Sequence, residues 1–176
     1  MTPRQLFLTK GVGKHREKPV SFELALRDAG IAQCNLVKVT SILPPGCTII
    51  PKEKGLEHLS PGEIVFCVMS ENSTNEPRRL IAASIGVAVP KEKDRHGYLL
   101  EYQGSDQEVE DAGIYAESLA ADMVATTYGN ASWNEHEGRR DMIARTTNIT
   151  QIATNEGSGL WTTVIAAAVF IPEGNP

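Results

Sequence analysis

Thr40 and Ser41 stand side by side in a run of apolar and β-branched residues, Leu36, Val37, Val39, Ile42 and Leu43, which Pro44-Pro45 closes. Such a run reads as a buried strand, and prolines end it because they cannot donate to a ladder. A serine hydroxyl lies within reach of the carbonyl carbon of the preceding residue. The Thr40-Ser41 peptide is therefore open to an N-to-O acyl shift that turns the amide into an ester. β-Elimination at Ser41 would then release a chain ending at Thr40, and the dehydroalanine left behind hydrolyses to a pyruvoyl group. Strand alternation sends the two hydroxyls to opposite faces, so any chemistry belongs to the bond between them rather than to a shared patch. The same pair can also be an ordinary polar break in a sheet, and these residues alone leave both readings open.

A second candidate is Glu101, set between Leu100 and Tyr102. Alternation puts Leu99 and Glu101 on one face, so if Leu99 faces the core, Glu101 does too. In apolar surroundings its carboxyl would hold a proton closer to neutrality than an ordinary glutamate. As an edge-strand residue it would simply be solvated. Glu23 lies off the apolar stripe of a predicted helix, where a glutamate is normally a solvated first-turn residue that favours the helix dipole. Cys34, Cys47 and Cys67 have no Cys-x-x-Cys spacing and no nearby histidine, so they signal neither a metal site nor a disulfide framework. Three free thiols suit a reducing cytoplasm.

The elements that must position these residues follow from periodicity. Leu6-Phe7-Leu8 reads as a strand, with Gly11 and Gly13 in a turn. Ser21 is placed to cap a helix that carries Phe22, Ala25, Leu26 and Ala29 on one face and stops at Gly30. Residues 44–62 read as a surface loop marked by proline and glycine. Strands follow over Ile64–Met69 and Leu80–Val89, joined by a polar turn over Glu71–Pro77. The second strand carries small residues suited to close approach by a neighbouring layer. Lys91–Gly97 is a charged hairpin tip with His96 in water, and Tyr98–Gln103 returns as a strand. Ser105–Glu108 is a capping box opening the longest helix, to about Tyr128. After a polar turn with Trp133 and His136, strands are expected over Arg140–Ala153 and Leu160–Ile171. This order is α+β, and two sheets with helices outside them satisfy it.

The 176 residues, with no linker or low-complexity segment, are expected to form a single domain. Seventeen basic against twenty-two acidic residues give a net charge of −5, which argues against a nucleic-acid surface and does not repel a cationic substrate. No apolar segment is long enough for a membrane span, so no membrane partner is expected.

Three segments carry a resemblance to a known family: Phe22-Glu-Leu-Ala-Leu-Arg-Asp-Ala-Gly30, Asn35-Leu-Val-Lys-Val-Thr-Ser-Ile-Leu-Pro-Pro45, and Ile85-Gly-Val-Ala-Val-Pro-Lys91 continuing to Gly97-Tyr-Leu-Leu-Glu-Tyr102. On these the chain resembles the pyruvoyl-dependent arginine decarboxylases. A hydroxyl residue, then serine, isoleucine, an apolar residue and Pro-Pro is similar to that family's self-cleavage site. The resemblance implies a four-layer αββα sandwich. It also implies a proenzyme cut between Thr40 and Ser41 into a β chain (1–40) and an α chain (41–176), with Ser41 becoming a covalent pyruvoyl cofactor and no metal required. The implied reaction converts L-arginine to agmatine and carbon dioxide through a Schiff base. Glu101 matches the family's proton donor, and Asn35 matches the amide that orients the processing bond. Glu23 matches the position that holds the guanidinium, where the family carries an aspartate one methylene shorter. Thr40 replaces the commoner serine before the cut. The family implies homo-oligomers, trimers or pairs of trimers, with active sites between subunits. Two further readings remain: an uncleaved, inactive partner or regulatory subunit of the same fold, and a hydrolase in which Ser41 is a free N-terminal nucleophile.

Overall fold

The computed structural model describes residues 2–129, 142–157 and 159–172. The predicted turn with Trp133 and His136, and the predicted strand start at Arg140, lie outside them. In chain order the elements are β1 (Gln5–His15), α1 (Lys18–Ala29), β2 (Asn35–Lys38), β3 (Ile42–Leu43), β4 (Thr48–Ile50) and α2 (Lys52–Leu56). Next come β5 (Ile64–Thr74), β6 (Leu80–Pro90), β7 (Gly97–Ser105), α3 (Ala112–Tyr128), β8 (Ile143–Thr154) and β9 (Trp161–Phe170).

The strands form a five-stranded sheet, β2-β5-β9-β1-β4, and a four-stranded sheet, β3-β7-β6-β8. β9 shows how the layers stack. Ile165, Ala167 and Val169 pack with Ala25, Leu26 and Ala29 of α1. Val164, Ala166 and Ala168 pack with Ile81, Ile85, Val87 and Leu99 of the other sheet. A strand covered on both faces needs no polar alternation, which is why this segment reads as a continuous apolar run. Ala88 of β6 turns outward onto Ala120 and Val124 of α3. The layers are thus helix, sheet, sheet, helix: an α+β, four-layer αββα sandwich.

Small residues set the spacing between layers. Gly11 and Gly13 lie inside β1, not in a turn, and a Cβ on either would meet the backbone carbonyl of Ala25 or Ser21 in α1. Gly86 of β6 does the same for α3 at Ala116, as expected from its small-residue run. Ser21 is not the cap of α1. The helix starts three residues earlier with a proline in its first turn, and Ser21 is buried with its Oγ 2.7 Å from the Lys18 carbonyl and 2.7 Å from Thr163 Oγ1. Gly30 does end the helix, at a φ of 83°.

Other boundaries also moved. The supposed loop after Pro45 contains β4, paired parallel with β1, and the short α2, whose Gly55 lies against Phe7. β5 runs on to Thr74, because Glu71 to Thr74 continue the pairing with β9. The capping box at Ser105 opens a single 3-10 turn, and α3 starts only at Ala112. His96 is half-buried rather than free in water: its Nδ1 lies 2.7 Å from the Tyr128 hydroxyl, and its ring meets those of Tyr98 and Tyr128 edge-on. That contact ties the β6–β7 hairpin to the end of α3. Among the described residues, no helix is long and apolar enough to cross a membrane.

Candidate active site

The predicted strand from Leu36 to Leu43 is two strands in two different sheets. β2 pairs parallel with β5, from Asn35 opposite Ile64 to Lys38 opposite Cys67, and the Val39 N–H still reaches the Cys67 carbonyl at 2.9 Å. β3 pairs antiparallel with β7, placing Ile42 opposite Tyr98 and Leu43 opposite Gly97. Thr40 and Ser41 cross between the two sheets and lie outside both strands, with only the Ser41 carbonyl bonded to β7, so strand alternation does not govern their side chains. β7 offers its edge to Ile42 and Leu43, and Pro44 and Pro45 end that short pairing.

The crossing has a defined geometry. The Ile42 N–H donates to the Thr40 carbonyl at 3.1 Å, an i to i+2 bond that closes a γ-turn centred on Ser41. The Leu99 N–H donates to the Ser41 carbonyl at 2.7 Å. The carbonyls on both sides of Ser41 are therefore held by backbone donors. Beside the turn a cavity of about 810 Å3 opens, lined by Thr40, Ile42, Pro44, His58, Phe66 and Phe170 among others. Its rim is largely apolar, and Ile42, Ile64 and Phe66 are exposed there, Ile64 by 63% and Phe66 by 44%.

Glu101 lies on β7 two residues beyond Leu99, about 7 Å further along the strand. Leu99 is fully buried between the sheets, but Glu101, two residues on and past the short β3, is exposed, closer to the edge-strand reading than to a core-facing one. The antiparallel register leads the chain upstream of Ser41 toward Glu101. Partial desolvation pushes the Glu101 carboxyl above the ordinary glutamate range, and the Lys38 ammonium opposes this. Lys38 is itself paired with Glu71 at 3.3 Å. Burial pushes the thiols of Cys47 and Cys67 up to about 11, which leaves both as neutral packing groups near neutrality.

The other two candidates lie elsewhere. The Asn35 side-chain amide donates to the Gly62 carbonyl at 2.8 Å and its backbone N–H to Glu63 at 2.7 Å. Asn35 thus anchors the start of β2, five residues before Thr40. Glu23 lies on α1, on the outer face of the five-stranded sheet over β1 and β9, and its carboxylate accepts from Arg27 Nε at 3.1 Å. A sheet separates it from the face that carries Glu101. One chain brings together Thr40, Ser41, Leu99 and the β7 face of Glu101, and it leaves Glu23 apart. The backbone donors of Ile42 and Leu99 escaped sequence reasoning because a peptide N–H has no sequence signature. Only the paired hydroxyls interrupting an apolar run hinted that the strand breaks there. Among the described residues no group of three or more His, Cys, Asp and Glu side chains is placed to hold a metal ion.

The residues present fit a pyruvoyl group at position 41. Ser41 is half-buried, its own carbonyl is fixed, and its neighbour Thr40 lines a cavity large enough for a small amino acid.

Comparison with known proteins shows the family. The family described as pyruvoyl-dependent arginine decarboxylase matches residues 5–175. A probable pyruvoyl-dependent arginine decarboxylase of Chloroherpeton thalassium is 54% identical, over 97% of this chain and 98% of the relative. The pyruvoyl-dependent arginine decarboxylase of Methanococcoides burtonii is 48% identical over 97% of this chain and 99% of its own length. Pyruvoyl-dependent arginine decarboxylase 2 of Methanosarcina acetivorans is 50% identical over 97% and 98%. With its αββα layers and its Thr40-Ser41 crossing between sheets, the chain belongs to the pyruvoyl-dependent arginine decarboxylase family.

Proposed function

We propose that this protein is a proenzyme that cuts itself between Thr40 and Ser41, and that the mature form decarboxylates L-arginine to agmatine. Membership of the family makes it a decarboxylase, a carbon–carbon lyase, and implies a pyruvoyl cofactor. The observation that carries the finer reading is the γ-turn at Ser41, which lifts one peptide bond out of both sheets beside a cavity. Cleavage there would leave a β chain of residues 1–40 and an α chain of residues 41–176 that stay together as one domain. β1 is hydrogen-bonded along its length to β9, and β2 to β5, so the short fragment is built into the five-stranded sheet.

A pyruvoyl carbonyl at position 41 would supply an electrophile for Schiff-base chemistry with the substrate amine and an electron sink for the departing carbon dioxide. The chain's own residues do the rest. The Leu99 N–H polarises the Ser41 carbonyl that adjoins this position. The Glu101 carboxyl, raised by desolvation, returns a proton to the carbon that has lost carbon dioxide. Asn35, through Gly62, fixes the start of the strand that delivers Thr40. The guanidinium needs a carboxylate fork, which Glu23 offers once it is freed from Arg27.

Within one chain Glu23 is remote from Ser41, and the cavity rim exposes Ile64 and Phe66. Both facts support a homo-oligomer, a trimer or pair of trimers, in which a neighbour's α1 completes the site. The three cysteines, none in a disulfide, suit the cytoplasm. The test is to supply the purified protein with carboxyl-labelled arginine, lysine and ornithine. Release of labelled carbon dioxide from arginine, with agmatine formed in equal amount, is the expected result. Release from none of the three, by protein that has cleaved itself, would overturn the substrate assignment.

A further inference from the structure

We propose that the backbone N–H of Ile42 is a catalytic donor in the self-cleavage, stabilising the oxyanion that forms on Thr40 when Ser41 Oγ adds to its carbonyl carbon. The inference rests on reading Thr40-Ser41 as the processed bond and adds to that reading the group that activates it.

In an extended strand the C=O and N–H groups of a residue point sideways to neighbouring strands and serve only as ladder bonds. Here β2 ends at Lys38, the Val39 N–H makes the last bond to β5, and β3 begins at Ile42. The Thr40 carbonyl is left between them and accepts from the Ile42 N–H at 3.1 Å. That donor is already in place in the uncleaved chain and aims at the one oxygen on which charge must develop. A hydrogen bond to an oxygen that becomes anionic strengthens as the reaction proceeds, whereas a bond equally strong throughout would give no rate advantage. Two further contacts keep the donor in register: Ile42 pairs with Tyr98, and the Leu99 N–H clamps the Ser41 carbonyl at 2.7 Å. The side chain of Ile42 has no part in this.

The step balances without any outside oxidant. Ser41 Oγ forms a bond to the Thr40 carbonyl carbon and gives up its proton, and the carbonyl π pair becomes the oxyanion. When the oxyanion collapses, the C–N bond breaks and the nitrogen of residue 41 leaves as an amine carrying that proton. The resulting ester loses the Ser41 α-proton and its Cβ–Oγ bond, releasing the Thr40 carboxylate. Water then replaces the nitrogen, which departs as ammonia.

Two full-length variants remove the Ile42 N–H by opposite routes. An amide-to-ester exchange at Ile42 weakens the Ser41 carbonyl as an acceptor, while Ile42→Pro preserves it. Both are expected to slow cleavage on the order of 10²-fold, the usual effect of losing one oxyanion donor. An amide-to-ester exchange at Val39 removes an ordinary ladder bond of the same kind and is expected to slow cleavage far less. Cleavage at the normal rate by either folded Ile42 variant, or equal slowing by the Val39 variant, would overturn the proposal. A second readout does not depend on those variants folding. The ¹³C-labelled Thr40 carbonyl of the uncleaved Ser41→Ala chain should show the lowered amide I frequency of a hydrogen-bonded carbonyl, and a band at the free-carbonyl position would also overturn it. If the unaltered protein never cleaves, the failure lies with the proenzyme reading and is told apart at once.

Discussion

The Leu99 N–H donates to the Ser41 carbonyl at 2.7 Å, joining the residue at the predicted cut to the strand that carries Glu101 two positions on. One strand, β7, therefore holds both the carbonyl that would adjoin the proposed cofactor and the group proposed to protonate the decarboxylated carbon. Processing and turnover share this scaffold but use different atoms, so they should be separable by substitution.

Glu101→Gln keeps the size of the side chain and removes its acid. It should still cleave at Ser41 while kcat falls roughly 10²- to 10⁴-fold, the range for loss of a general acid. Intact mass and agmatine production, measured on one sample, check both halves of that statement.

The pH dependence follows from the direction of the Glu101 shift. Desolvation raises this carboxyl and Lys38 lowers it, so the proton donor is lost as pH rises through a value above the ordinary glutamate range. Lys38→Met removes the opposing cation, and the unpaired Glu71 acts in the same direction. The alkaline limb of kcat should therefore move to higher pH in this variant. For folding the sign is that of a raised acid: the native state binds the extra proton, so stability falls as pH rises from the unfolded toward the folded pKa.

Glu23 should govern affinity and leave the bond-breaking step alone. A charge-assisted hydrogen bond contributes about 1.5–3 kcal/mol, so Glu23→Ala should raise the KM for arginine roughly 10- to 150-fold with kcat little changed. Steady-state kinetics with arginine and ornithine provide the check, since the shorter amine should lose little.

Layer spacing predicts a stability effect remote from the chemistry. A methyl on Gly11 would press on the Ala25 carbonyl and lift α1 from β1. Gly11→Ala should cost about 1–3 kcal/mol, the range for overpacking, read from the midpoint of denaturant unfolding with unchanged m.

The sequence made the layers legible because apolar periodicity survives in any context: β6, β9, the Gly30 stop and the burial of Leu99 were all readable. What escaped was set by tertiary competition. Leu36 to Leu43 has strand chemistry throughout, yet its two ends pair with different sheets, and no local rule marks where a chain changes partner. Gly11 and Gly13 look like turn residues until a helix is known to lie on them. His96 looks solvated until the end of α3 arrives with Tyr128. Of the candidate site, side chains with a chemical signature were visible from the start, whereas the two backbone donors flanking Ser41 required coordinates.

On the proposed reading Ser41 becomes the cofactor. The most direct measurement is denaturing mass spectrometry of the purified protein beside its Ser41→Ala variant. The expected result is a 1–40 fragment and a 41–176 fragment lighter than a serine-started chain by the exchange of an amine for a ketone, with both absent from the variant. A single intact chain in the unaltered protein would contradict it and favour an inactive partner of the same fold, and a 41–176 fragment bearing a free amine would point to a serine nucleophile instead.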